Sequence, residues 1–260
     1  MSITDDLVPL LKKPHLSGIL ETYDLRKRQA LEDDLSLDEF LYRLLHDEVE
    51  RRDSKQLALR LRRASFKHGR TVEDFDFHFN PGIPKAKVID LATCQFVDRR
   101  EVVCLVGPAG VGKSHLAQAL GHRACMAGHT ALYVPAHQML DELHASRADN
   151  SYERRLLRFT GPELLIDDLG LRPLRNDEPH DLYEIIRRRY ERGATVITSN
   201  RAVEEWYPLF GDALLAKCSD GPPAAPRPRH RDGRRQLPQP ASPQARCVQA
   251  HVGGLVRMLA

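Results

Sequence analysis

The string Gly107-Pro108-Ala109-Gly110-Val111-Gly112-Lys113-Ser114 constrains this chain more than any other feature. It fits the spacing G-x-x-x-x-G-K-[ST], directly follows the apolar run Val102–Val106 and precedes a helix-like pattern. Glycines at these positions let successive backbone N–H groups turn inward and cradle phosphate oxygens. The amino terminus of the following helix adds partial positive charge. Lys113 is placed to reach the β- and γ-phosphates, and Ser114 to offer its hydroxyl oxygen to Mg²⁺. Strand, phosphate loop and helix in this order open a nucleotide-binding α/β sheet.

The segments that follow keep the alternation. A helix over about Ser114–Ala127 leads to a strand at Ala131–Val134, and a helix near Ala136–Ala145 to a strand at Glu163–Asp167. A helix near Asp181–Arg192, with Gly193 placed as its C-cap glycine, precedes a strand at Thr195–Thr198. This predicts a parallel sheet covered on both faces. The strand LLIDD ends in Asp167 and Asp168. The first carboxylate can hold Mg²⁺ through water, and the second can polarise an attacking water. Two acids are also the ordinary polar exit of a buried strand, and it is the phosphate loop upstream that favours the metal-site reading. Asn200, in Thr198-Ser199-Asn200-Arg201, is placed to orient that water, or is simply a turn residue. One strand, Ala131–Val134, intervenes in sequence between the phosphate loop and the acidic strand, the order of the additional-strand ATPases.

Composition narrows the class. The 42% hydrophobic and 29% charged content suits a globular chain, and no apolar run is long enough to span a bilayer. The start MSITDD lacks the apolar core of a secretory signal, so the expectation is a cytoplasmic protein without a membrane partner. Five scattered cysteines without a C-x-x-C pair suit a reducing compartment and exclude a zinc ribbon. The twelve dispersed histidines suggest no metal besides nucleotide-borne Mg²⁺.

Three regions separate by pattern. Residues 1–70 are helical and locally basic, residues 71–216 hold the strand–helix alternation, and residues 217–260 carry seven of the 17 prolines. In the first region Ser36-Leu37-Asp38-Glu39 reads as a capping box, after which Leu37, Phe40, Leu41, Leu44, Leu45 and Val49 mark one helical face. The basic residues from Arg51 to Arg70 are either a solvated face or a contact for the phosphate backbone of duplex DNA. The net charge of +3 comes from the last region. Residues 217–260 hold eight Lys/Arg against two Asp/Glu, leaving the preceding 216 residues with 31 against 34.

The strings LSLDEFLYRLLHDEVERR, TVEDFDF, LLIDDLGLRPL, DLYEIIRRRYERGATVITSNR and EEWYPLFGDALLA, from about His15 to Ala216, resemble the IstB-like ATP-binding proteins. These are helper ATPases of a bacterial insertion-sequence family, related to DnaC-type helicase loaders in the AAA+ superfamily. The resemblance implies an additional-strand P-loop fold, ATP binding and hydrolysis with Mg²⁺, homo-oligomers on duplex DNA, and a transposase partner encoded alongside. By position, Gly107–Ser114 is the nucleotide cradle, Lys113 and Ser114 the phosphate and Mg²⁺ contacts, Asp167 and Asp168 the second motif, and Asn200 the sensor. Phe75 and Phe77 lie where such proteins often line the adenine pocket, or are core aromatics of a short strand. The other readings are a DnaC-type replicative helicase loader and a module that binds ATP without hydrolysing it.

The tail departs from the family. Relatives follow GDALLA with a helix of small residues carrying Asp-Arg-Leu and two histidines, whereas this chain reads KCSDGPPAAPRPRHRDGRRQ, whose prolines forbid a helix. Permitted codons for Lys217 to Gln236, read from the second base of the Lys217 codon, can encode SAAMDRLLHHAHVIAMEGDS, which is the expected ending. The inference is a reading frame slipped near Lys217, a disordered tail over 217–260, and hydrolysis weakened by loss of the arginine that reaches a neighbouring subunit's γ-phosphate.

Overall fold

The computed structural model describes residue 11, residues 16–78, 82–202 and 205–206, and the backbone of 247–251. The chain divides into two compact units after Arg60.

The first unit holds helix α1 (Ser17–Glu32) and most of α2 (Leu37–Arg63). Leu16, before α1, has no side chain that can cap, so the first N–H groups of α1 need an outside acceptor. Glu48 of α2 supplies it, taking the Gly18 N–H at 2.5 Å on Oε2 while Arg52 Nε donates to Oε1 at 2.6 Å. Arg26 of α1 grips both oxygens of Asp47 at 2.8 and 2.7 Å. The Ser36 cap is present, its Oγ accepting the Glu39 N–H at 3.2 Å. The apolar face expected on α2 splits instead: Leu44 is buried, but Leu37, Leu41, Leu45 and Val49 are exposed. A six-residue apolar arc is wider than the strip of α2 that packs around Leu44 and Glu48.

The second unit is a five-stranded parallel sheet in the order β2-β3-β4-β1-β5, from β1 (Val102–Val106), β2 (Ala131–Pro135), β3 (Glu163–Leu169), β4 (Thr195–Ser199) and β5 (Cys247–His251). Strand β2, which intervenes between the phosphate loop and the acidic strand in sequence, stands at the sheet edge, and it is β4 that lies between β1 and β3. Helices α3 (Lys85–Ala92) and α4 (Gln95–Asp98) precede the sheet, α5 (Lys113–Met126) follows β1, and α6 (Ala136–Ser146) and α7 (Tyr152–Thr160) lie between β2 and β3. Helix α8 (Glu178–Arg189) joins β3 to β4. Strand alternation sorts the two faces. Cys104, Val106, Leu132, Val134, Leu164, Ile166 and Ile197 join Met139, Leu143, Phe159, Leu182 and Ile185 in one core. The alternate residues Leu165 and Val196 face the other way, toward Leu120, Gly121 and Ala124 of α5. The sheet is therefore covered on both faces, as the alternation predicts.

Three boundaries differ from the sequence reading. Residues 61–70 go with the sheet unit rather than the amino-terminal one, because Ala64 accepts the Tyr133 N–H of edge strand β2 at 2.8 Å and Gln118 of α5 accepts the Lys67 N–H at 3.0 Å. Helix α8 ends at Arg189, and Gly193 is not its cap; a Cβ at Gly193 would stand 3.0 Å from the Arg189 guanidinium, which the turn must admit. Residues 247–251, expected in a disordered tail, pair with β1 as an edge strand. The rest of that tail lies outside the described residues. Among the described residues no helix is long and apolar enough to cross a membrane.

Candidate nucleotide-binding site

The carboxyl ends of β1, β4 and β3 stand side by side, and each delivers one part of the site. The loop after β1 begins as a continuation of the sheet, with the Gly107 N–H donating to Ser199 O at 3.2 Å. It then turns through two left-handed glycines, Gly110 (φ 81°) and Gly112 (φ 94°), before α5 starts at Lys113. A Cβ at Gly112 would lie 2.7 Å from the Phe75 ring, so conformation and space both require glycine there. Pro108, Ala109 and Gly110 are exposed at the loop's tip, while Val111, Gly112 and Ser114 are half-buried. Lys113 is buried and folds back over the loop, its Nζ donating to Pro108 O at 2.7 Å. Burial holds its amino group below the usual lysine range, against the opposing pull of Asp168 and Asp167. A turn through two left-handed glycines, a helix amino terminus and a buried ammonium form a donor set suited to a polyphosphate.

Strand alternation puts Tyr133, Asp167 and Thr198 on the same face as α5. Asp167 is buried, accepting from Tyr133 Oη on Oδ2 and from Thr198 Oγ1 on Oδ1 at 2.6 Å. Asp168 follows in left-handed conformation (φ 57°), at a bulge where the β3–β4 register shifts between Ile166 and Leu169. Its N–H donates to Thr198 Oγ1 at 2.9 Å. Burial, reinforced by neighbouring Asp167, pushes the Asp168 carboxyl above its usual range, with Lys113 opposing. Asn200 is exposed in the turn directly after β4. The three sequence-derived parts therefore reach one edge of the sheet.

The sequence reading missed the residues that hold this edge together. Tyr133 and Thr198 are described above. Ser199 Oγ donates to Leu169 O at 2.7 Å and accepts from Trp206 Nε1 at 3.3 Å, while Arg201 Nε donates to Gly170 O at 2.7 Å. One signal was available: a tyrosine within the apolar strand ALYVP must find a partner for its hydroxyl once buried.

The TVEDFDF segment packs on the loop and on α5. Thr71 O lies 3.1 Å from His115 Nε2, Phe75 meets the His115 ring edge-on with centroids 5.1 Å apart, and Glu73 pairs with Arg123. Phe75, Phe77, Lys85 and Ile89 line a cavity, with the Lys85 ammonium 5.4 Å from the centre of the Phe77 ring. Neither phenylalanine lies on a strand.

The profile of the IstB-like ATP binding protein family matches residues 9–219. A protein named as an insertion-sequence ATP-binding protein from Mycobacterium tuberculosis is 41% identical over 250 residues, covering 90% of this chain and 99% of its own. One so named from Pseudomonas aeruginosa is 37% identical over 211 residues, covering 81% and 78%. Among solved structures, the DnaC helicase loader is 21% identical at a TM-score of 0.45, covering 52% of this chain and 82% of that one.

Proposed function

This chain belongs to the family of IstB-like ATP-binding proteins, and from that premise we propose that it binds Mg²⁺·ATP at Gly107–Ser114 to regulate its hold on duplex DNA and on a transposase. One observation carries the reading: the glycine cradle with buried Lys113 after β1 and the acid pair Asp167–Asp168 of β3 stand at the carboxyl ends of the two strands that flank β4 in one sheet. Lys113 turns from Pro108 O to the terminal phosphates, and the α5 amino terminus takes the remaining phosphate charge. Ser114 and Asp167 would hold Mg²⁺, which when bound neutralises charge on the phosphates. Asp168, its carboxyl raised by burial, is suited to take a proton from water, and Asn200, in the bend after β4, to orient that water. Phe75 borders the loop and, with Phe77, lines a cavity where the adenine ring can stack.

Duplex contact falls to the basic end of α2. Arg51 and Arg52 bond within the amino-terminal unit, to Ser17 and Glu48, and Arg60 donates to Gln56 at 3.1 Å, while the charges of Lys55, Arg60, Arg62 and Arg63 follow one another along the end of the helix. The names of the relatives favour an insertion-sequence role over helicase loading. The family profile ends at Ser219, close to the inferred frame slip at Lys217, whereas the Mycobacterium tuberculosis relative aligns over 90% of this chain and so past that point. If the frame slipped there, the Asp-Arg-Leu sequence is absent, the chain binds ATP but hydrolyses it slowly, and restoring the frame restores turnover. The test is duplex binding by the frame-restored protein, followed by fluorescence anisotropy. ATP strengthens the binding, and Lys113→Ala removes that response. Equal duplex affinity with and without ATP rejects the regulatory reading.

A further inference from the structure

Of the features the nucleotide reading does not use, the buried polar chain Tyr133–Asp167–Thr198–Asp168 carries the most. All four residues sit where β2, β3 and β4 run together, yet only the two acids have a role in that reading. Tyr133 and Thr198 are almost wholly buried, 3% and 0% exposed, and neither hydroxyl is needed for packing. In a sheet core those positions would be filled as well by phenylalanine and valine. Instead both hydroxyls are spent on one carboxylate. Tyr133 Oη holds Oδ2 of Asp167 from the β2 side, and Thr198 Oγ1 holds Oδ1 from the β4 side at 2.6 Å. A carboxylate held on both oxygens cannot rotate about its Cβ–Cγ bond without losing a charge-assisted hydrogen bond.

Thr198 has a second task. Its Oγ1 accepts the Asp168 N–H at 2.9 Å, at the residue where β3 bulges and the backbone enters the left-handed region. Aspartate tolerates that conformation better than most residues, but it still costs energy and persists only where neighbours impose it. Ser199, the next residue of β4, completes the imposition by donating to Leu169 O at 2.7 Å. One threonine thus fixes the direction of the first carboxylate through its donor and the aim of the second through its acceptor.

We propose that Tyr133 and Thr198 are positioning residues that clamp Asp167 in the orientation that serves the metal, with Thr198 also setting the bulge that aims Asp168. The proposal rests on the nucleotide reading above. Because slow turnover is expected of this chain, the readout is the metal-dependent part of nucleotide affinity. A fluorescent ATP analogue is titrated into the full chain with Mg²⁺ and again with EDTA, and the ratio of the two dissociation constants is the Mg²⁺ gain.

Tyr133→Phe keeps the ring and loses one bond, and Thr198→Val keeps the shape and loses two. Releasing the Asp167 carboxylate lowers the Mg²⁺ gain by about tenfold in each variant, about 1.4 kcal/mol, while affinity in EDTA stays unchanged. Thr198→Ser retains both bonds and the parental gain. A merely structural role would lower the melting temperature and leave the gain alone. If Thr198→Val does not fold, Tyr133→Phe and Thr198→Ser decide the question. Parental Mg²⁺ gain in Tyr133→Phe and in any folded Thr198→Val overturns the proposal while leaving the nucleotide site intact. If Lys113→Ala binds the analogue as the parent does, the nucleotide reading itself fails and this proposal falls with it.

Discussion

Gly112 and Asp168 both have left-handed backbones at the site, and they are built differently. Gly112 needs its conformation and also needs the space that the Phe75 ring occupies 2.7 Å from where a Cβ would stand. Gly128 is equally left-handed (φ 100°) but has nothing within 4 Å of such a Cβ. Gly112→Ala is therefore expected to cost about 1–3 kcal/mol from strain plus contact, against about 1 kcal/mol for Gly128→Ala. Thermal melts of the two variants check this, and Phe75→Ala in the Gly112→Ala background should recover the contact part. Asp168 is a charged residue whose burial and acidic neighbour both disfavour its charge. Asp168→Asn keeps a residue that tolerates the left-handed region and removes that charge, so the variant should melt above the parent at pH 7. A lower melting temperature would show that the Asp168 carboxylate stabilises the fold rather than straining it.

At the scale of elements, the amino terminus of α1 is held by a side chain from α2 rather than by its own cap. Glu48→Ala leaves the Gly18 N–H and Arg52 without their acceptor, and should cost about 1–3 kcal/mol in the stability of this helix pair. The same contacts predict a pH response. Hydrogen bonds from Arg26 hold the Asp47 carboxyl down to about 2, and Arg52 with the Gly18 N–H holds that of Glu48 below its usual range despite burial. Folded values below the unfolded ones mean stability present above about pH 4 and lost as the pH falls toward 2. Hydrogen exchange of α1 amides across that range measures it; protection independent of pH would contradict the account. Such cross-element contacts are what the sequence does not display. Strands β1 to β4 and helices α5, α6 and α8 are legible because buried parallel strands are unbroken apolar runs separated by helix-length segments. Helix α1 was not singled out, since SGILETYDLRKRQALE buries only Gly18 and Ile19 and leaves Leu25 and Leu31 exposed. Helix α7 is hard to read from sequence because YERRLLRFT has four charged residues in nine, though Leu156 and Phe159 anchor it at a spacing of three. Within the site, the motif residues were legible from their spacing, whereas Tyr133 and Thr198 act through partners on other strands.

Across the whole molecule, charge and chain ending bear on function together. The net charge of +3 is carried by residues 217–260, so the total says little about the folded units. If the basic end of α2 binds the duplex backbone, affinity falls steeply with salt, and reversing Arg60, Arg62 and Arg63 removes it while leaving nucleotide binding intact. Undiminished duplex binding by that variant, in a chain ending at Ala216, would exclude α2. The frame slip inferred at Lys217 predicts that the gene encodes Asp-Arg-Leu in the shifted frame and that the restored protein turns over ATP faster than the chain described here. All of this depends on the phosphate loop holding nucleotide. The most direct test is the equilibrium affinity for a fluorescent ATP analogue in Mg²⁺, compared between this chain and Lys113→Ala. Loss of a charged donor to the phosphates predicts a fall of about 10- to 100-fold in the variant. Equal affinities would contradict the assignment of Gly107–Ser114 as the nucleotide site.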